Sequence, residues 1–405
     1  MSRTSVNRLA SAFVMAGVLA ACADSPTTSP SAASSELAPQ DAPVYSRGAD
    51  AQYIPGRFIV TLREGANPAA VARQHGVQPD FVYTAALNGF AGSMADAARS
   101  GLLRDFRVVR VERDGIATTQ TTQSPATWGL DRTDQRARPL NGSYSYTATG
   151  AGVRAYIIDT GIRPTHSDFG GRVVAGYTSI SDRRGTSDCN GHGTHVAGTV
   201  GGSIYGIAKQ VTLVPVRVLD CRGSGSWSGI IAGIDWVVAN HTGGPAVANM
   251  SLGGGANSTV DAAVRRMIAD GVATGVAAGN GDRWGRALDA CTRSPARVGE
   301  AMTIGATTNT DAKTSWSNYG TCVDLFAPGA SITSAWHSSN TATNTISGTS
   351  MATPHVVGVA ALYLSAGHAG ASPSTVAAAI SANATQGIVT NGASGSANDL
   401  LFSNY

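Results

Sequence analysis

Apolar and polar positions alternate with a period of two over Arg57–Leu62 (R-F-I-V-T-L), which predicts a strand. Pro68–His75 then reads as a short helix, Phe81–Tyr83 and Gly89–Ser93 as strands, Asp96–Arg104 as a helix and Val108–Glu112 as a last strand. Strand–helix–strand–strand–helix–strand is the split βαβ order of a small ferredoxin-like α+β domain. Its block, 51–120, ends in the polar run A-T-T-Q-T-T-Q-S-P, which suits an exposed cleavage site.

From about Thr121 the pattern changes. Val153–Ile158 is apolar without interruption, as in a strand covered on both faces. His192–Gly202 follows as a helix, Val211–Leu219 as a strand, Trp227–Asn240 as a helix and Ala246–Met250 as a strand. Val260–Asp270 is read as a helix, Val272–Ala278 and Ala301–Ala306 as strands, and Thr353–Ala366 as an apolar helix. This alternation predicts an α/β domain over 121–405, a mostly parallel sheet between two helical layers. Ligands bind such sheets outside the carboxyl ends of the strands, which directs attention to the loops after Ile158, Met250 and Ala278.

Before both blocks, residues 1–22 carry Arg3 and Arg8, an apolar run from Leu9 to Ala21 and the ending L-A-A-C. A basic start and a short apolar core form an export signal. The ending resembles a bacterial lipobox, which would lipidate Cys22; the plain alternative is an ordinary signal cut after a small residue. Residues 23–50, rich in Ser, Thr, Pro and Ala, read as a flexible linker. No second long apolar run follows to span a membrane.

Composition narrows the function classes. Charged residues are 14% of the 405, the net charge is +3 and the basic residues are dispersed. A nucleic-acid partner would call for a concentrated basic stripe, so none is expected. Gly at 49 residues shows no G-X-Y period, so it reads as tight turns and close backbone approaches.

Three motifs carry candidate chemistry. Asp159, in D-T-G, leaves a buried strand where it can hold a histidine, although a lone Asp there ordinarily caps a turn. His192, in N-G-H-G-T-H-V-A-G-T, has glycine on both sides, which leaves the ring reachable; His195 points elsewhere, and no third ligand makes the pair a zinc site. Ser350, in G-T-S-M-A-T-P-H, stands at the start of the apolar helix, either as an N-cap or as a nucleophile favoured by the helix's positive end. Pro354 is placed in that helix's first turn, where a missing N–H costs nothing.

The order Asp…His…Ser, together with I-I-D-T-G, N-G-H-G-T-H-V-A-G, S-L-G-G, A-A-G-N and S-G-T-S-M-A-T-P-H, resembles the subtilases. The likeness is nearest to the proteinase K branch and its aqualysin-type precursors. It implies a subtilisin-like three-layer domain over 121–405, with 51–120 as an inhibitor-like propeptide. Ser350 would be the nucleophile, His192 its general base and then acid, and Asp159 the group that orients His192. Asn280 and the Ser350 N–H would hold the oxyanion. Substrate would lie extended between two segments, Gly223, Ser224, Gly225 and Trp227 on one side and Ser251, Leu252, Gly253 and Gly254 on the other. The second segment would also wall the side-chain pocket, opposite Ala277, Ala278 and Gly279, and these small residues leave room for a large apolar or aromatic side chain.

Besides Cys22 there are four cysteines, an even number that reads as two disulfides with three pairings open. The resemblance favours Cys189 with Cys221 and Cys291 with Cys322. It also implies structural calcium, held by Asp131, Asp134, Gln135, Asn141 and Ser143, with a second site at Asp324 and the carbonyls of Gly299 and Ala301. The plain alternative for Asp131 and Asp134 is a solvated acidic face.

These readings predict a secreted serine endopeptidase acting on proteins and peptides, self-processed near Gln120–Thr121 and inhibited by its own propeptide. It would be a monomer when mature, with the precursor tethered to the envelope if Cys22 is lipidated. The rival is an inactive peptide-binding envelope protein of the same fold, but all four catalytic groups are in place. An esterase of the α/β-hydrolase type would need G-x-S-x-G and the order Ser…Asp…His, which are absent.

Overall fold

The computed structural model describes residues 44–45, 53–115, 121–392 and 395–405. They divide into two compact units, with the boundary after Gly115. The leader with Cys22, most of the linker and Gln120 at the expected cut lie outside the described residues.

The N-terminal unit is built from β1 (Tyr53–Leu62), α1 (Pro68–Gln74), β2 (Phe81–Tyr83), β3 (Gly89–Ser93), α2 (Asp96–Leu103) and β4 (Val108–Gly115). The four strands lie in the order β4-β1-β3-β2 and pair antiparallel, and the two-residue strand Val44–Tyr45 adds a parallel edge to β4. Helix α1 starts where the sequence places it, because the Asn67 side chain accepts from the Ala70 N–H and Pro68 stands at the first helical position. Phe58, Val60 and Leu62, alternate residues of β1, share a core with Val71, Phe90, Leu102 and Val111.

In the larger unit the main sheet comprises β5 (Arg154–Asp159), β6 (Tyr177–Thr178), β7 (Thr212–Arg217), β8 (Ala246–Met250), β9 (Val272–Ala277), β10 (Met302–Thr307), β11 (Leu325–Pro328), β12 (Thr385–Gln386) and β13 (Asp399–Leu400). Its order is β12-β13-β11-β10-β9-β8-β5-β7-β6, parallel throughout except at β12–β13. The helices are α3 (Trp128–Thr133), α4 (His192–Gly201), α5 (Trp227–Asn240), α6 (Ser258–Ala269), α7 (Thr349–Ser365) and α8 (Pro373–Asn383).

Strand β5 shows why the run before Asp159 is apolar without a break. Ala155 and Ile157 enter the core formed with α4, α7 and α8, whereas Tyr156 and Ile158 enter the opposite core under α5 and α6. Successive side chains point to opposite faces, so a strand between two helical layers needs apolar residues at every position. Helix α7 is buried from Met351 to Leu364, as expected of an element apolar all round. Both disulfides form as the resemblance implied, Cys189–Cys221 and Cys291–Cys322, with sequence separations of 32 and 31. Each removes about 4 kcal/mol of chain entropy from the unfolded state.

One buried charge ties the short N-terminal helix to the rim of the sheet. Arg132 of α3 has no solvent exposure and donates from Nε to Asp311 Oδ1 at 2.7 Å, with further bonds to the carbonyls of Gln135 and Arg136. Arg132→Met strands the Asp311 carboxylate and is expected to lower the unfolding free energy by about 3–5 kcal/mol, measured by denaturant titration. A loss below ~1 kcal/mol would show that Asp311 is adequately solvated without its partner.

Candidate active site

Asp159 is the last residue of β5 and has no exposure to solvent. Its carboxylate accepts from the Thr160 N–H at 2.7 Å and faces His192, whose Nδ1 lies 2.8 Å from Oδ1 and 3.0 Å from Oδ2. A carboxylate at both distances makes Nδ1 the donor and leaves Nε2 as the acceptor of a neutral ring.

His192 opens α4, and its position depends on how that helix begins. The N-cap is Gly191, at φ 111°, with no side chain to cap. Asp188 does the capping instead. Its carboxylate accepts from the N–H groups of Asn190, Gly191 and Thr194 at 2.9 Å each, and from the hydroxyls of Thr160 and Thr194. Gly193 allows the helix to close on the D-T-G turn, because a Cβ there would stand 2.2 Å from the Gly161 carbonyl oxygen. The Gly193 N–H donates to Thr160 Oγ1 at 2.8 Å, which completes the join.

Electrostatics single out this histidine. Enclosure disfavours the charged ring, but the charge and hydrogen bond of Asp159, with Asp188 beyond, outweigh it and move the pKa above the ordinary 6.5. His195 and His355 are buried without a carboxylate and are pushed down to about 4, so both are neutral near pH 7. His195 Nε2 meets the Ile332 carbonyl, away from the cleft, as expected.

Ser350 is the second residue of α7. The helix starts at Thr349, four residues before its predicted start, so Pro354 lies in the second turn rather than the first. The expectation that its missing N–H costs nothing is therefore corrected: that N–H would have bonded the Ser350 carbonyl. A serine hydroxyl takes its place. Ser251 Oγ donates to the Ser350 carbonyl at 2.8 Å and accepts from Asn249 Nδ2 at 2.9 Å. The Ser350 hydroxyl donates to the Ser251 carbonyl at 3.2 Å, and among the described residues no hydrogen bond joins it to His192. Catalytic contacts are commonly long in a ligand-free site and tighten around substrate.

Asn280 is oriented by α7. Its Oδ1 accepts from both the N–H and the hydroxyl of Thr349, at 2.8 and 2.9 Å. Two donors fix the oxygen end, so Nδ2 is the end left for the cleft. Asn318 braces the same loop, accepting from the N–H groups of Gly281 and Leu288 and donating to the Ala278 carbonyl. The Ser350 N–H, at the second helical position, has no carbonyl four residues back in the helix to meet it.

His192, Asn280 and Ser350 line one open cleft of about 670 Å³ at the carboxyl ends of β5, β8 and β9. All the predicted substrate-binding residues line it too: Gly223, Ser224, Gly225 and Trp227, Ser251 to Gly254, and Ala277 to Gly279. Trp227 is the first residue of α5, and its indole lies where a Cβ on Gly254 would come within 2.8 Å.

The predicted calcium ligands are divided. Asp131 accepts from the N–H groups of Asn141 and Gly142. Asp134 accepts from the Ser145 N–H, but its Oδ1 is buried with no partner among the described residues. Burial pushes its carboxyl up to about 6, offset by the Ser145 bond, and nearby Asp131 adds to the rise. An orphaned oxygen beside a second carboxylate fits a hard cation. Gln135 instead donates to the carbonyls of Ala137 and Pro139, and Asn141 Oδ1 accepts from Ser143, so these side chains brace the loop. Asp324 accepts from the Thr303 N–H and burial pushes it up to about 6, while the nearby Gly299 is exposed and Ala301 buried.

Sequence reasoning missed Asp188, Thr160, Asn249, Asn318 and Thr349. Thr160, Asn318 and Thr349 act by bonding segments remote in sequence, for which the chain carries no periodic signal, and Asn249 acts through Ser251. Only Asp188 had a local clue, an acid just before a helix with a glycine N-cap.

A family model described as the Subtilase family matches residues 150–400. An extracellular serine proteinase of Thermus sp. (strain Rt41A) is 52% identical, over 96% of this chain and 97% of that relative. An alkaline serine exoprotease A of Vibrio alginolyticus is 50% identical over 81% of this chain, which spans 61% of that relative. The crystal structure of a cold adapted subtilisin-like serine proteinase superposes with a TM-score of 0.66 at 52% identity, covering 70% of this chain and all of the other.

The raised pKa has a sign. Pairing with Asp159 stabilises the protein below the unfolded value of about 6.5 and is lost as pH rises through the folded value. An NMR titration should place the His192 midpoint above 6.5, and Asp159→Asn should bring it below. The stability gap between the two proteins should be widest under about pH 6.5. An unmoved midpoint would mean that Asp159 does not govern this ring.

Proposed function

The chain belongs to the subtilase family and is a serine proteinase; from that premise we propose that it is a secreted endopeptidase acting through an acyl-enzyme on Ser350. The observation that carries this is the 2.8 Å contact of Asp159 with His192, in a cleft that Ser350 and Asn280 share.

Substrate backbone lies extended between the segments at 223–227 and 251–254. The Ser350 hydroxyl leaves the Ser251 carbonyl and donates to His192 Nε2, which takes the proton as Oγ attacks the peptide carbonyl. Negative charge on the carbonyl oxygen is met by Asn280 Nδ2 and the Ser350 N–H. Asp159 stabilises the imidazolium, which then protonates the departing amine as the C–N bond breaks. Water repeats the sequence on the ester and restores Ser350. The small walls at 251–254 and 277–279 favour a large apolar or aromatic residue before the cleaved bond.

The unit at 51–120 acts as an inhibitory propeptide until cleavage near Gln120–Thr121. That reading is supported by its separate core and by the polar segment after it. If Cys22 is lipidated, the same cut releases the mature enzyme from the envelope. Calcium would be structural, held by the carboxylates of Asp131 and Asp134, with a second site at Asp324 and the carbonyls of Gly299 and Ala301. It has no step in the reaction.

Ser350→Ala is expected to lower kcat on casein by about 10⁴-fold or more and to abolish labelling by a fluorophosphonate. Asn280→Ala should keep the labelling site while lowering kcat by about 10²–10³-fold, the worth of such a donor in a related enzyme. Labelling that survives in the Ser350 variant would place the nucleophile elsewhere.

Chelation should lower Tm more at pH 8 than at pH 5, because Asp134 holds a proton below about 6 and a protonated carboxyl is a poor ligand. Asp134→Asn should remove that difference. Equal effects of chelator on both proteins would dismiss this pair as the site.

A further inference from the structure

The pocket next to the scissile bond has a third side that carries a charge. Gly254 and Gly255 pair antiparallel with Ser294 and Arg293, which bonds this segment to one pocket wall. Ala296 shares a small core with Ala278, which packs the same segment against the other wall. Residues 293–296 therefore close the pocket between its two sides, and Arg293, Ser294 and Ala296 all line the cleft.

Arg293 is half-buried, and among the described residues no carboxylate or carbonyl bonds its guanidinium. The next arginine along, Arg297, is paired, with Asp261 at 2.6 Å. Among the described residues no carboxylate lines the cleft, and the other arginine there, Arg222, is exposed and beside Asp220. A cation without a counter-charge on the third side of a pocket walled by glycine and alanine is a receptor for an anion with a long stem.

We propose that Arg293 selects an acidic side chain, glutamate above all, at the residue preceding the cleaved bond. This rests on the endopeptidase reading and extends the pocket beyond apolar and aromatic residues. Glutamate spans the small-walled pocket and meets the guanidinium through both oxygens. Glutamine has the same shape without the charge, so the pair isolates the electrostatic part.

The test uses the mature enzyme, its concentration set by fluorophosphonate titration, and three peptides differing only in Glu, Gln or Lys before the cut. At low salt, kcat/KM for Glu should exceed that for Gln by about tenfold, the worth of a charge-assisted hydrogen bond. Raising ionic strength to about 1 M, where the Debye length is ~3 Å, should shrink that ratio in the unaltered enzyme. Arg293→Gln should bring the ratio to one or below, and Arg293→Glu should favour Lys over Glu. A Glu/Gln ratio of one at low salt, or a ratio that neither salt nor substitution moves, overturns the assignment of Arg293 alone. Failure of the titrated enzyme to cleave any of the three while it still digests casein overturns this inference alone, and failure on casein as well overturns the endopeptidase reading with it.

Discussion

A carboxylate with no access to water must have a partner, and at Asp159 that requirement organises the site. The strand that carries it is covered on both faces, so its carboxyl end is a place where a charge is cut off from solvent but backbone N–H groups and loops converge. His192 meets this charge with a ring nitrogen. In return the ring gains a fixed tautomer and a proton affinity that its buried neighbours His195 and His355 lack. Desolvation acts on all three histidines, and the nearby carboxylate decides which one titrates in a useful range.

The same problem recurs at the starts of the two central helices. Helix N-termini carry N–H groups without partners, and here both begin with glycine N-caps that offer no side chain. Side chains outside each helix supply the acceptors, Asp188 just ahead of α4 and Asn280, remote in sequence, at α7. Capping thereby becomes positioning. Satisfying the first turn of α4 fixes His192, and satisfying that of α7 turns the Asn280 amide so that its donor end is free. Pro354 adds the converse device: a carbonyl deprived of its helical donor is tied by Ser251 to the substrate-binding segment.

Three chain segments, one ending at Asp159, one beginning at His192 and one with Ser350 in its first turn, thus meet at one edge of one sheet. Parallel strands all end at the same edge of the sheet, so the loops that leave them there converge, which explains why residues far apart in sequence share a cleft. The covalent links act nearby. Cys221, bonded to Cys189 just before the His192 helix, also accepts from Asn190 through its carbonyl. The disulfide and the hydrogen-bond network therefore restrain the same loop.

Much of this was legible in the chain because it is periodic or local. The two-sided apolar runs of β5, β8 and β9, the amphipathic pattern of α5 and the alternation of β1 are set by which faces must leave water, and their bounds fall within a few residues of the elements observed. Helix α7 was legible only from Thr353 onward, since Thr349, Ser350 and Ala352 are small or polar and Met351 alone sets no period; the turn is helical because Asn280 and Gly348 receive its N–H groups. The motifs around Asp159, His192 and Ser350 identified the reacting groups. Their orientation was not written there: Asp188 joined to Thr160, Ser251 in place of a lost helical bond and Arg293 closing the pocket are contacts between segments tens of residues apart. Hydrophobic periodicity is a property of neighbours along a chain, so sequence alone could determine elements and chemistry. Hydrogen-bond partners across a cleft exist only after the sheet has brought its loops together, so the tertiary structure alone decided how those groups are held.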